Sequence, residues 1–364
     1  MSEINTKREA MTQAERFRAL MRFQPVDRLP RLEWAYWWDQ TIKRWASEGL
    51  ELSKPYTSAT VEEMVPEITR KLGLDVHQQF FIHPWTWEQP KPAHHLGGIL
   101  SDEKGYEENL RHFYPSNEWL QWTWDRLAQY QANMEQHDTL FWITVCGFFA
   151  WPRRLFGAEK HYYAFYDHPE LMHRMNYEEA EFIIRVLRKT FEISRPVFVT
   201  IGEDMSYNGG PMCSREMFDE FIAPYYRRVV PVMKELGLIV FVDSDGNANE
   251  LISWLADVGV EGLLPMERNA GSDVALVRQK HPDFLMIGNF EKLLMTRGEE
   301  AVRGEFERLL PVMKQGGFIP SPDHQTPPQV SLEQYRTYVR LLKEYSVTGA
   351  PAGRPATILA TNHH

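Results

Sequence analysis

The sequence predicts an α/β protein, a (β/α)8 TIM barrel with an N-terminal helical extension. Three observations carry that prediction. About eight short apolar runs alternate with amphipathic helical segments along the chain. The runs are apolar on both faces, as strands of a helix-covered parallel sheet must be. Eight such units are the tally for a closed barrel, with a doubly wound open sheet as the alternative. Neither G-x-G-x-x-G nor G-x-x-x-x-G-K-[ST] occurs, so dinucleotide and P-loop readings lose their main support.

The elements follow in order. Thr12 and Glu15 form a T-x-x-E capping box, and Phe17, Leu20 and Met21 recur at helical spacing, so a first helix begins there and stops before Pro25. Residues 28–34 (RLPRLEW) read as a strand, and 36–45 as the start of a helix. A helix over 61–72 leads through Gly73 to an extended stretch at 76–82. After an irregular region, 117–135 is helical and 140–148 (LFWITVCGF) is a buried strand rich in β-branched and aromatic residues. A helix at 170–193 and a strand at 196–204 come next. Ser214 caps a helix that ends at Gly237 and that Pro224 should kink. Residues 238–245 (LIVFVDSD) form a strand, followed by a helix at 249–259, the run VEGLLPME, a helix at 274–280, the run FLMIGNF, a helix at 298–314 and the run GFIPSPD. Ser331 with Gln334 caps the last helix. The domain limits expected are a flexible N-terminus at 1–11, a barrel at 12–346 and a flexible, Pro/Gly-rich tail at 347–364.

Of the 364 residues, 43% are hydrophobic and 25% charged, an ordinary globular balance. The formal charge of −10 argues against general nucleic-acid or anionic-membrane binding, since both need basic surface. Two cysteines, Cys146 and Cys213, show no metal-ligand spacing and make no disulfide framework. The start of the chain lacks an apolar signal core, and no apolar run could span a bilayer, so a cytoplasmic location is expected. Twelve tryptophans, several near expected strand ends (Trp34, Trp37, Trp38, Trp85, Trp87), fit either a core of large side chains or an aromatic-lined pocket.

In a barrel, functional side chains project from the carboxyl ends of strands. Those ends here carry Glu203 and Asp204 with Tyr207 and Asn208, then Asp243 and Asp245, then Glu267, Asn289 and His324. Residues two apart on a strand point to one side, so Asp243 and Asp245 could face one ligand. Two carboxylates and an imidazole suit a divalent metal such as zinc. Without a metal, a carboxyl crowded by another has a raised pKa and suits a proton donor. The plainer readings are an Asp-rich turn, helix caps and a structural histidine. A metal reading of His83, His94, His95 and His112 has no fixed spacing behind it.

Several of these stretches resemble the uroporphyrinogen decarboxylase superfamily: ALMRFQPVDRLP, EDMSYNGGPMCSREMFDEFIAPYYRRVV, VFVDSDGN, GLLPME and IPSPDH. The likeness runs from about residue 12 to 345 and implies a (β/α)8 barrel. True decarboxylases of this family carry an R-Q-A-G-R-Y stretch after the first strand that grips substrate carboxylates. Here the stretch 33–38 is Glu33-Trp34-Ala35-Tyr36-Trp37-Trp38, so uroporphyrinogen itself is not the expected substrate. His324 falls where those decarboxylases have an active-site histidine. The related corrinoid-linked methyltransferases hold zinc with an H-x-C-G motif and a later cysteine. Asp243 and Asp245 occupy the first two ligand positions, and His324 the last, which exchanges a soft site for a harder one.

The leading expectation is therefore metal-assisted methyl or alkyl transfer involving a small, partly aromatic substrate. Asp243, Asp245 and His324 would hold the metal, and Glu203 or Asp204 would position or deprotonate substrate. Trp34, Tyr36, Trp37, Tyr207, Asn208, Glu267 and Asn289 would line the site. A corrinoid protein would be the partner, with a homodimer as a further expectation. A metal-free decarboxylase-like lyase and a non-catalytic binding barrel are the alternatives.

Overall fold

A computed structural model describes residues 11–94 and 96–353. Residues 1–10 and 354–364 of the expected flexible ends, and His95 of the histidine group, lie outside the described residues. The chain forms two compact units, residues 78–272 and residues 1–77 with 273–364.

The unit 78–272 is built on strands β1 (His77–Ile82), β2 (Leu140–Cys146), β3 (Phe198–Gly202), β6 (Ile239–Asp243) and β7 (Gly262–Met266), adjacent in that order. From β2 to β7 the pairing is parallel, with Cys146, Gly202 and Asp243 side by side at the carboxyl end of the sheet. Strand interiors are buried on both faces, as the sequence pattern requires. A short hairpin, β4 (Ser206–Tyr207) and β5 (Gly210–Pro211), follows β3. Two helices at Ala150–Phe156 and Ala158–Asp167 stand after β2, where the sequence reading placed none. The helix begun by Ser214 does not simply kink. A π-turn at Phe218–Ile222 widens the backbone just before Pro224, which then opens the α-helix Ala223–Glu235.

The other unit contributes β8 (Leu285–Phe290) and β9 (Phe318–Pro322), paired in parallel. Both expected capping boxes are present, at Gln13–Met21 and at Leu332–Thr348. That last helix extends into the segment expected to be tail. The fold is thus α/β with parallel strands, and the described residues hold seven of the eight expected. The strand expected at 28–34 is absent. Pro30 has no backbone donor, Leu29 donates to the carbonyl of Ser346 (2.8 Å), and Arg31 donates to the carboxylate of Asp75 (2.9 Å). These donors leave a sheet ladder no role. The same stretch is instead fastened by paired charges: Arg28 forks onto Asp75 (2.8 and 2.9 Å), and buried Arg16 onto Asp27 (2.7 and 2.8 Å).

Glu33 lies in this stretch, buried, and accepts the hydroxyl of Tyr335 at 2.6 Å. Removal from water pushes its pKa up from 4.5 to about 8. A raised value means the folded state holds the proton longer than the unfolded state. The stability tied to that proton is complete below pH 4.5 and is lost as pH rises toward about 8. Glu33→Gln, which mimics the protonated acid, should flatten this part of the stability–pH curve in urea titrations and exceed wild type in alkaline buffer.

Candidate active site

The site in the unit 78–272 starts from the parallel pairing itself. Because Cys146, Gly202 and Asp243 are register partners, the loops leaving β2, β3 and β6 begin side by side. A cavity of about 230 Å³ opens there, lined by Phe81, His83, Trp85, Thr144, Val145, Cys146, Gly202, Asp204 and Asp243. A second, of about 350 Å³, shares Trp85, Cys146 and Asp204 with it and adds Gln89, Arg153, Arg154 and Glu203 among its walls.

Asp243 is the centre of this arrangement. Burial holds its carboxyl protonated well above the usual carboxylate range, and the negative charges of Asp204 and then Asp245 push in the same direction. Asp204 and Asp245 are thus close enough to act on Asp243 electrostatically, and strand alternation is not what brings Asp245 there. β6 ends at Asp243 and the next residues form a loop, with Gly246 at φ +85°. The loop is fixed from several sides. Glu267 accepts the N–H of Gly246 (2.7 Å), Ser206 donates to the carbonyl of Asp245 (2.5 Å), and the N–H of Asn247 reaches the carbonyl of Tyr207 (2.9 Å). A Cβ at Gly246 would come within 2.6 Å of the Tyr207 backbone, so only glycine fits beneath the hairpin. Glu267, expected to bind substrate, has its carboxylate on this loop. Tyr207 and Asn208 are exposed on the hairpin.

Glu203 and Asp204 diverge. Glu203 is fully buried, and its carboxylate accepts the N–H groups of Phe148 (2.9 Å), Phe149 (2.8 Å) and Ala150 (3.1 Å) and the hydroxyl of Tyr226 (2.6 Å). Burial raises its pKa to about 7 against the opposing effect of these donors. Gly147 makes the approach feasible, because a Cβ there would overlap the Glu203 carboxyl. The result fixes the start of the helix Ala150–Phe156, which carries Arg153 and Arg154. Asp204 is exposed, sits at φ +46°, and lines both cavities. Its carbonyl accepts from Arg153 at 3.0 Å.

The walls are aromatic. Phe81, His83, Trp85 and Trp151 stack in sequence, with ring centroids 5.8, 4.3 and 5.7 Å apart. Arg154 lies over Trp85, 3.8 Å from the ring centre. Desolvation by the rings packed on its faces, and then the Arg154 charge, bring the pKa of His83 down to about 4. Sequence reasoning had Trp85 as a pocket candidate and His83 in a metal group. It did not connect them, since neighbours two apart on β1 and its loop only become a stack once they share one side of the chain.

The remaining expected residues belong to the unit formed by 1–77 and 273–364. His324 is half-buried, edge-on to Trp34 with ring centroids 5.9 Å apart, and Trp34 donates to the carbonyl of Pro322 (2.8 Å). Trp37 packs inward against Trp45 and Tyr335, and the carbonyl of half-buried Tyr36 accepts from Gln325 (2.6 Å). Asn289 is buried, with Arg308 on its side chain (3.1 Å) and its carbonyl (2.8 Å). Among the described residues no group of three or more His, Cys, Asp or Glu side chains is placed to hold a metal ion.

A family model described as uroporphyrinogen decarboxylase (URO-D) matches residues 153–345, more than half of the 364-residue chain. The chain belongs to the uroporphyrinogen decarboxylase family. It is similar in fold to a solved methyltransferase from Methanosarcina mazei, at a TM-score of 0.64 and 16% identity, covering 92% of this chain and 99% of that one. A solved 3-keto-D-glucoside 4-epimerase from E. coli is more distant, with a TM-score of 0.39 and 12% identity over 61% of this chain and 85% of that one. No curated protein matches the chain. No helix among the described residues is long and apolar enough to cross a membrane.

Proposed function

We propose that the chain is an enzyme of this family that transfers a methyl or alkyl group from a small, partly aromatic donor, with Asp243 as the proton donor. The proposal takes the strands as those of a (β/α)8 barrel, whose reactions collect at carboxyl strand ends. The observation that carries it is a carboxyl in the wall of a cavity lined by stacked rings, with its pKa pushed up by burial and by two neighbouring acids. The donor ring lies against Phe81, His83 and Trp85. The bond between the alkyl carbon and its heteroatom breaks, and the heteroatom keeps the electron pair and takes the proton of Asp243. The alkyl group passes to an external nucleophile, for which a reduced corrinoid protein is the class that the sequence resemblance implies. Asp243 is left as a carboxylate and recovers its proton from solvent.

The second reading is a decarboxylase-like lyase, favoured by the family match. There carbon dioxide leaves, and Asp243 protonates the carbon that keeps the electron pair. One experiment separates the two: purified protein is given aryl methyl ethers and carboxylated arenes, with and without reduced corrinoid protein. Alkylation of the corrinoid supports transfer; release of carbon dioxide without an acceptor supports the lyase. A metal-assisted form of the transfer, with Asp243 and Asp245 ionised around a divalent ion such as zinc, is tested apart by elemental analysis. About one ion per chain, lost in Asp243→Ala, would replace Asp243 as proton donor with Asp243 as metal ligand. A proton-donating Asp243 entails no stoichiometric ion and no loss of turnover with chelators.

A further inference from the structure

Arg154 stands out among the charged groups of this unit. It is exposed at the wall of the 350 Å³ cavity, and among the described residues no carboxylate pairs with it. Its guanidinium is held in place by Trp85, 3.8 Å beneath it, and the helix that carries it is fixed at its start by Glu203. A guanidinium stacked on a ring keeps its N–H donors at its edges, arranged to meet a planar oxyanion in a forked contact. Arg153, the adjacent residue, lines the same space and is tied to the hairpin side by the carbonyl of Asp204. Of the acids lining this space, Glu203 closes on backbone donors, and Asp204 stands where the two cavities meet.

We infer that Arg154, stacked on Trp85 and flanked by Arg153, binds a carboxylate carried by the aromatic substrate. This deepens the proposed function and rests on the same cavity. The two cavities share Trp85, Cys146 and Asp204, so a single molecule spans them. Its ring lies along the stacked aromatics and its acid group points to Arg154. A cavity of roughly 150 Å³ takes a benzene ring, so the space by Asp243, at about 230 Å³, takes a substituted one. The acid group also fixes orientation. Held at Arg154, it keeps the substituted edge of the ring toward Asp243 and away from bulk water.

The test is equilibrium binding, by calorimetry, of benzoate, benzamide and phenyl phosphate to wild type and to Arg154→Gln and Arg154→Lys. Benzoate should bind wild type at least tenfold more tightly than benzamide, and more tightly than phenyl phosphate. Arg154→Gln should weaken benzoate by about 10- to 100-fold, the loss of a charge-assisted forked contact, and leave benzamide unchanged. Arg154→Lys should recover only part, because an ammonium cannot fork. Unchanged thermal midpoints would show that the variants are folded. Equal binding of benzoate and benzamide by wild type, no benzoate binding, or an unaltered Arg154→Gln would overturn the inference. A preference for phenyl phosphate would overturn the carboxylate assignment. None of these readouts requires turnover, so a failed search for alkyl transfer leaves the binding result standing.

Discussion

Asp243→Asn should reduce turnover by about 10²- to 10⁴-fold, the range lost when a positioned proton donor is removed, while making the folded protein more stable in alkaline buffer. The two effects come from one cause. Burial and the charges of Asp204 and Asp245 hold the Asp243 carboxyl protonated far above its ordinary value of 3.8. Because the folded value is raised, the associated stability is complete below that ordinary value and is lost as pH rises. Asparagine keeps the shape of the neutral acid and has no proton to give up. Its stability should therefore track wild type under acidic conditions and exceed it as pH increases. A variant that lost activity and stability together at every pH would point to a structural role for Asp243. Activity is checked as product formed per unit time at saturating donor, and stability as the urea midpoint across pH.

Glu203→Ala should destabilise the protein by about 3–5 kcal/mol. Three backbone N–H groups and the Tyr226 hydroxyl converge on this one carboxylate inside the protein, and alanine leaves all four without their acceptor. The affected donors start the helix that carries Arg153 and Arg154, so benzoate binding should fall along with the urea midpoint. Glutamine at the same place offers one acceptor oxygen and turns an N–H₂ toward other N–H groups, so it should recover little. Full stability of Glu203→Ala would mean that solvent satisfies these donors, and Glu203 would then be open to a direct chemical role.

Much of the frame was legible in the sequence because it is local. Thr12 with Glu15 and Ser331 with Gln334 each sit three residues apart, and both form the capping boxes that spacing announces. Runs such as Ile239–Asp243 are strands because residues apolar on both faces have only a sheet interior to occupy. Asp243 was visible as a functional candidate for the same reason: it is the first polar residue at the end of such a run. What was not legible depends on distant partners. The extended stretch 28–34 looks like a strand until Arg31 and Leu29 find acceptors at Asp75 and Ser346. Glu203 and Asp204 are adjacent in sequence, yet one turns in toward residues 148–150 and the other faces the cavities. Asp245 was placed beside Asp243 by an alternation that stops at the strand end, and a loop clamped by Glu267 and Ser206 accomplishes it instead. The pairing of Arg154 with Trp85 joins residues far apart in the chain, and no spacing rule reaches that far.

The central claim is that Asp243 carries a proton at neutral pH. Carboxyl-carbon NMR of protein labelled at aspartate, titrated with pH and assigned by comparison with Asp243→Asn, measures this directly. A proton-bearing Asp243 predicts one aspartate resonance, absent in the variant, that stays at the position of the protonated acid through neutral pH. A resonance for Asp243 that titrates near 3.8, as an ordinary aspartate does, would contradict it.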